Sequence, residues 1–377
     1  MADKGEHRRT TRRRFLHGAA VGAAGATLAG CTGSAPADGS APAVQGNKRV
    51  TWRLASSFPR SLDTLFGCAE TLAESLESMS GGMFRVRPYP AGELVPAFNV
   101  LDAVQQGTAQ VGHSASYYYI GKNPALAFDA GLPFGLTARQ QHSWLYEGGG
   151  ADTLAPVFAD FNVRSFPAGS TGVQMGGWFR REVNSLSDLS GLRMRIPGLG
   201  GQVMDRLGVN VQQIPGGEIF PALERGAIDA TEWVGPYDDE RLGFHKIAKH
   251  YYYPGWWEPG PTLSFYVNEK AWSSLSVEQQ RMFRAASTEA SMRMTAQYDA
   301  VNPPALKRLL DGGARLAPFP EDVMRAAEKA SFELFEEQAA ADAGYRNVYE
   351  PWKKVREGAY RWSSISEVAY SSFAIRP

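Results

Sequence analysis

Four short motifs between Gln174 and Gly260 each set a hydrogen-bonding group among aromatic residues, Gly and Pro: Q-M-G-G-W-F, R-M-R-I-P-G, E-W-V-G-P-Y-D-D and Y-Y-Y-P-G-W-W-E-P-G. Such a mixture suits a small polar ligand enclosed by apolar walls. Arg195 ends an alternating run in which Leu192, Met194 and Ile196 face one way and Arg193 and Arg195 the other. A planar guanidinium can hold a carboxylate through two parallel hydrogen bonds. Arg193 reads as an ordinary surface arginine. Glu232 follows a buried-looking I-D-A, and Glu258 follows Trp256-Trp257. A carboxylate among aromatic rings is costly unless it is paired or bound to a cation. Two such carboxylates, a Gln carbonyl and a backbone carbonyl make an all-oxygen site for Na⁺ or Ca²⁺. The residues alone leave open the opposing reading, in which each Glu pairs with its own Lys or Arg.

Catalytic signatures are incomplete. No H-E-x-x-H occurs among His113, His142, His245 and His250, and the last two lie five apart, on different helix faces. Ala168-Gly169-Ser170-Thr171-Gly172 approaches the nucleophile elbow but has Ala at the first Gly position. Gly198-Leu199-Gly200-Gly201 resembles the start of a dinucleotide fingerprint, but Val203 stands where its third Gly or Ala belongs. A tight turn opening a helix explains that loop equally well.

The elements that must carry these residues read as two α/β groups. Strands are predicted at 50–55, 84–89 and 109–112, with helices at 61–79 and 98–106 between them. That β-α-β-α-β order implies a parallel sheet with crossover helices. Helices follow at 138–147 and 151–161, then strands at 163–168 and 173–179. A second group comprises strands 192–196, 209–214 and 228–233 with helices 200–207 and 218–225. A strand at 262–267, a long helical pattern 277–312 broken near Pro303-Pro304, a helix at 321–341 and a partly helical 351–373 complete the chain. Ligands bind at the carboxyl ends of parallel strands, and a cleft between two such domains can close on them. The domain boundaries expected are 48–165 for the first part of domain I, 166–260 for domain II, 261–320 for strands and a long helix linking both, and 321–377 for a C-terminal helical region.

The chain has 377 residues, with 39 Lys and Arg against 39 Asp and Glu, and a mean hydropathy of −0.30. The neutral balance argues against a nucleic-acid partner, which would require a basic face. It also hides two unlike parts. Residues 1–30 carry six basic and two acidic residues, then an Ala- and Gly-rich apolar run, as an export signal does. Thr11 to His17 (T-R-R-R-F-L-H) resembles a twin-arginine signal, and Leu28-Ala29-Gly30-Cys31 a lipobox in which Cys31 becomes the lipidated first residue. Residues 31–47 then read as a flexible tether. Without residues 1–30 the balance is 33 basic to 37 acidic, a net of −4. Cys68 is then the only other cysteine and reads as a buried core thiol.

The order of G-G-W-F-R-R-E-V, D-L-S-G-L-R-M-R-I-P-G, P-G-G-E-I-F-P-A-L-E-R-G-A-I-D-A-T-E-W-V-G-P and P-G-W-W-E-P-G resembles the DctP-type extracytoplasmic solute-binding proteins of TRAP transporters. W-R-L-A-S-S-F-P-R-S at 52–61 and S-Y-Y-Y-I-G-K-N-P-A at 116–125 match as well, so the resemblance spans about residues 50–370. Within that family the sequence resembles the branch binding 2-oxo acids or lactate with a metal ion. The resemblance implies a two-domain periplasmic-binding-protein-like fold with the ligand cleft between domains, no catalysis, and delivery to membrane permease subunits. It implies that Arg195 clamps the ligand carboxylate and that Gln174, Glu232, the main-chain oxygen of Trp233 and Glu258 surround Na⁺ or Ca²⁺. Gln174, Trp233 and Glu258 would also meet the ligand. Tyr118 would supply a hydroxyl, with Tyr117 and Tyr119 as substitutes, and Phe179 and Trp178 would wall the pocket. Trp257 departs from the His common at its position. A homodimer swapping C-terminal helices is a further implied possibility. A metal-independent dicarboxylate or sugar-acid binder, and an exported cofactor enzyme, are the competing readings.

Overall fold

The computed structural model describes residues 49–375, which belong to one compact unit. The expected export signal, Cys31 and the tether lie outside the described residues. Two sheets organise the chain. The first contains β1 (Val50–Ser56), β2 (Phe84–Tyr89), β3 (Val111–Ser114) and β4 (Val163–Ser170). The second contains β5 (Gly177–Phe179), β6 (Arg193–Arg195), β7 (Asn210–Gln212), β8 (Ala230–Thr231) and β9 (His250–Tyr253). The chain then returns to the first sheet as β10 (Thr262–Asn268) and ends its strands in the second as β11 (Arg315–Pro318). The orders are β2-β1-β3-β10-β4 and β11-β9-β5-β8-β6-β7.

The expected parallel βαβαβ unit is present: β1 pairs in parallel with both β2 and β3. Its first crossover helix, Leu65–Met79, buries Leu65, Phe66, Ala69, Leu72 and Leu76 at helical spacing. Leu62 is buried too, but residues 61–64 form a turn before the helix. β10 lies antiparallel between β3 and β4 and is buried along its whole length, as a central strand covered on both faces must be.

Two expectations about chain path are corrected. β4 runs to Ser170 and pairs with β10, so a division at 165/166 would cut a strand of the first sheet. The passage between sheets is instead residues 171–176, and of the strand expected at 173–179 only 177–179 join the second sheet. The long helix, Val277–Asp311, continues through Pro303 and Pro304. Each proline removes a helix donor, yet Tyr298 before them and Ala305 and Leu309 after them are all buried, so packing on both sides holds the helical path. Helices Pro236–Leu242 and, at the end of the chain, Ala343–Ile365 and Glu367–Ala374 extend beyond what the sequence pattern indicated. The chain thus crosses between sheets three times: at 171–176, at 254–261, and along the ~50 Å helix 277–311.

Candidate functional site

Strand directions bring the four polar candidates to one edge of the second sheet. Arg195 ends β6, and Glu232 directly follows β8, its parallel neighbour, where Arg195 is level with Thr231. β5 runs antiparallel to β8 and to β9, so its entry side shares that edge with the exits of β8 and β9. Gln174 precedes β5 and Glu258 follows β9. Both therefore sit on the segments that cross to the first sheet. Those crossings bond to each other: the Gln174 N–H donates to the Glu258 carbonyl at 3.2 Å, and the Gly255 N–H to the Gln174 carbonyl at 2.8 Å. Gly177, at φ 81°, allows the approach of β5 to β8, since a Cβ there would stand 2.3 Å from the Thr231 carbonyl oxygen.

The cluster is enclosed. Arg195 and Glu232 are 1 % exposed, Gln174 2 % and Glu258 5 %. Arg195 donates from Nε to the Ile214 carbonyl at 3.0 Å and from Nη1 to the Glu232 carbonyl at 3.1 Å. Nη1 also makes an ion pair with Glu232 Oε1. Its guanidinium lies 5.0 Å from the Trp233 ring centre, within cation–π range. The sequence suggested separate roles for Arg195 and Glu232; the structure pairs them with each other. Arg193, two residues earlier, is exposed and pairs with Asp229 at 2.7 Å, as a surface arginine does.

Three buried polar atoms of the four polar candidates lack an aligned partner within the protein: Arg195 Nη2, Gln174 Oε1 and Glu258 Oε2. Such atoms are costly to bury. One is a cationic donor and two are oxygen acceptors, so the set suits an anion beside a hard cation. Burial, reinforced by Glu232, holds the Glu258 carboxyl well above the usual range, with Arg195, Tyr117 and Gln174 opposing. Burial likewise pushes Glu232 up to about 7 against the pull of Arg195. Each carboxylate thus lacks enough positive charge nearby, which a cation would supply. Among the described residues no three His, Cys, Asp or Glu side chains gather as a metal group. A cation here would need neutral oxygens as well, and Gln174 offers one.

The first sheet contributes the turn Ser116–Tyr119, which follows β3. Tyr117 packs against Gly198 at the start of helix Gly198–Arg206, and Gln213 Nε2 donates to the Tyr118 carbonyl at 3.4 Å. Tyr117 and Tyr118 both feel Arg195, Glu232 and Glu258. Tyr119 does not join them. Its hydroxyl is 2.9 Å from Ser114 Oγ and its ring meets Tyr266 in the first sheet, which corrects its expected place in the pocket. Phe179 and Trp178 are corrected as well. Phe179 is buried on Tyr252 and Phe319, one ring removed from Trp257, while Trp178 stacks on Tyr251 at 4.0 Å. Adjacent residues of one strand point to opposite faces, so the two rings cannot wall one pocket together. The Trp233 ring lies against the cluster.

The glycine loop 198–201 is explained by packing. A Cβ on Gly200 would stand 2.6 Å from Trp257 Cβ, so the helix needs Gly to approach the W-W-E segment. His113 is a core histidine: burial lowers it to about 3, and its Nδ1 lies 3.2 Å from Ser56 Oγ. The sequence reading missed Thr171, whose Oγ1 accepts from Gln174 Nε2 at 3.3 Å, and the buried pair Asp238 and Asp239. Pro at the first turn of a helix with acidic residues behind it was the available signal for the latter.

The family model for bacterial extracellular solute-binding protein, family 7 (DctP) matches residues 55–342. The monocarboxylate 2-oxoacid-binding periplasmic protein of Nostoc sp. strain PCC 7120 is 55 % identical over 364 residues, covering 96 % of this chain and 98 % of that one. A TRAP transporter solute-binding protein of Bordetella bronchiseptica RB50 superposes with a TM-score of 0.86 at 47 % identity, over 87 % of this chain and 98 % of that one. Its crystal is a mixed-occupancy dimer with copurified calcium and picolinate in one active site. A TRAP periplasmic solute-binding protein of Pseudoalteromonas atlantica T6c, with sodium and pyruvate bound, gives 0.83 at 39 % identity, over 86 % and 99 %. The chain therefore belongs to the DctP family, family 7 of the bacterial extracellular solute-binding proteins, among the solute-binding proteins of TRAP transporters.

Proposed function

We propose that this protein captures a small 2-oxo or 2-hydroxy monocarboxylate together with Na⁺ or Ca²⁺ between its two lobes and hands it to TRAP permease subunits in the membrane. The observation that carries the reading is one arginine nitrogen and two oxygens without aligned partners in one buried cluster. Arg195 clamps the ligand carboxylate. Gln174, Glu232, the Trp233 main-chain oxygen and Glu258 hold the cation, which supplies the positive charge that two buried carboxylates need. Tyr118, or Tyr117 beside it, donates a hydroxyl to the ligand. The relatives that hold pyruvate or picolinate beside sodium or calcium support this class of ligand. Because the same shell serves both guests, cation and carboxylate raise each other's affinity.

The protein acts by binding rather than by chemistry. Export by the twin-arginine signal, anchoring through Cys31, and association into a dimer complete the reading. Calorimetric titration with pyruvate, lactate and longer 2-oxo acids, with and without a chelator, tests it. Binding that chelator weakens and added Ca²⁺ or Na⁺ restores is the expected result. Failure of every small carboxylate to bind in the presence of both cations refutes it.

A further inference from the structure

Behind the pocket, Asp238 and Asp239 are both fully buried at the start of helix Pro236–Leu242. Among the described residues neither forms an ion pair, and their partners are uncharged. Asp239 Oδ2 accepts the Trp178 indole N–H of β5 at 3.0 Å and the Tyr251 hydroxyl of β9 at 2.7 Å. Its Oδ1 accepts the Val234 N–H at 3.4 Å. Asp238 Oδ2 accepts the Tyr298 hydroxyl of the long helix at 2.8 Å. One carboxylate therefore ties together the three chain segments that lead to Gln174, to Glu232 and Trp233, and to Glu258. Val234 closes the circuit, because its carbonyl accepts the Met175 N–H at 2.9 Å.

The geometry points to Asp239 as a positioning residue for the ligand and cation site: it sets the register of residues 232–234 against the two crossing segments without touching either guest. The inference rests on the binding function proposed above. Its physical basis is the demand of an oxygen shell for several ligands at fixed separations, which outer partners usually secure. Asp239 accepts all three of its hydrogen bonds, so only a group without competing N–H donors can serve all of them. An Asn would present an amide N–H₂ to at least one donor and splay the loop.

The test compares Asp239→Asn with Asp129→Asn. Asp129 is an equally enclosed carboxylate in the other lobe, held by the hydroxyls of Ser116, Ser165 and Ser264. Its replacement reports the general cost of altering a buried acid. Pyruvate affinity in saturating Ca²⁺, Ca²⁺ affinity alone, and the melting of the ligand-free protein are measured for wild type and both variants. Asp239→Asn is expected to weaken Ca²⁺ and pyruvate about 10- to 100-fold, and Asp129→Asn, whose Ser116 contact lies on the tyrosine turn and not on the cation side, to leave Ca²⁺ affinity alone within about twofold. Tyr251→Phe, which removes a single donor, is expected to give a smaller loss in the same direction and serves if Asp239→Asn does not fold. Wild-type protein that binds no carboxylate would sink the underlying function. Wild type that binds while Asp239→Asn and Tyr251→Phe bind equally well, or equal losses of Ca²⁺ affinity in Asp239→Asn and Asp129→Asn, would overturn the positioning role alone.

Discussion

Removing the Arg195 guanidinium tests both the stability and the function of the pocket. In Arg195→Met the Glu232 carboxylate stays buried at 1 % exposure without its cation. Breaking a buried pair from one side costs about 3–5 kcal/mol. Two carbonyl oxygens, of Ile214 and Glu232, lose their donor as well, which places the loss toward the upper end of that range. In the double variant Arg195→Met/Glu232→Gln no charge is stranded, so the combined loss should be smaller than that of the single change. Urea unfolding of wild type, Arg195→Met, Glu232→Gln and the double variant gives the coupling energy directly. Ligand affinity behaves differently. The atom free to meet a carboxylate is Arg195 Nη2, and a hydrogen bond between charged groups is worth about 1.5–3 kcal/mol. Both variants should therefore bind pyruvate about 10- to 100-fold more weakly, and the double variant should not recover affinity when it recovers stability. If Arg195→Met unfolds at the wild-type urea concentration and binds pyruvate normally, the reasoning about this pocket is wrong.

Glu258→Gln should abolish most cation-dependent affinity measured by titration, yet leave the ligand-free protein as stable or more so at pH 8, because a buried carboxylate held above its usual range is replaced by a neutral isostere. Tyr118→Phe is expected to weaken pyruvate binding, whereas Tyr119→Phe should only cost about 1 kcal/mol of stability through the lost Ser114 contact; equal affinity losses would contradict the corrected placement. The pH dependence follows from Asp238 and Asp239, both pushed up to about 7 mainly by burial, against an ordinary 3.8. Between those values the folded state binds more protons than the unfolded state, so stability falls as pH rises. The ligand-free protein should melt higher at pH 5.5 than at pH 8, and Asp239→Asn should flatten that slope.

Arg195 was legible in the sequence because a strand that alternates and then stops at a Pro-Gly turn presents its last residue at the sheet edge. Its pairing with Glu232 was not, because it depends on β6 and β8 being neighbours although 36 residues separate the two groups. The three consecutive tyrosines show a different limit. They lie on a single 3₁₀ turn, where successive side chains diverge by roughly 120°. One turn therefore sends Tyr117 and Tyr118 toward the cluster and Tyr119 into the first sheet, a choice no spacing argument could make. The aromatic pair at 178–179 was expected to line the pocket because the family resemblance implies it. In the structure a three-residue strand directs one ring to each sheet face. The break expected at Pro303-Pro304 failed because buried neighbours on both sides outweigh two missing donors.

The placement of β10 has a consequence for how the protein comes to be folded. This strand fills the gap between β3 and β4, yet it lies about a hundred residues beyond β4 in the chain. The first sheet is incomplete until residue 268 has been made, by which time every strand of the second sheet except its edge β11 already exists. Neither lobe is a contiguous stretch of polypeptide, so neither could be cut out and studied alone. Pairings of such long sequence separation form slowly. Maturation therefore proceeds for the molecule as a whole, with the open edges of β3 and β4 exposed meanwhile to wrong partners.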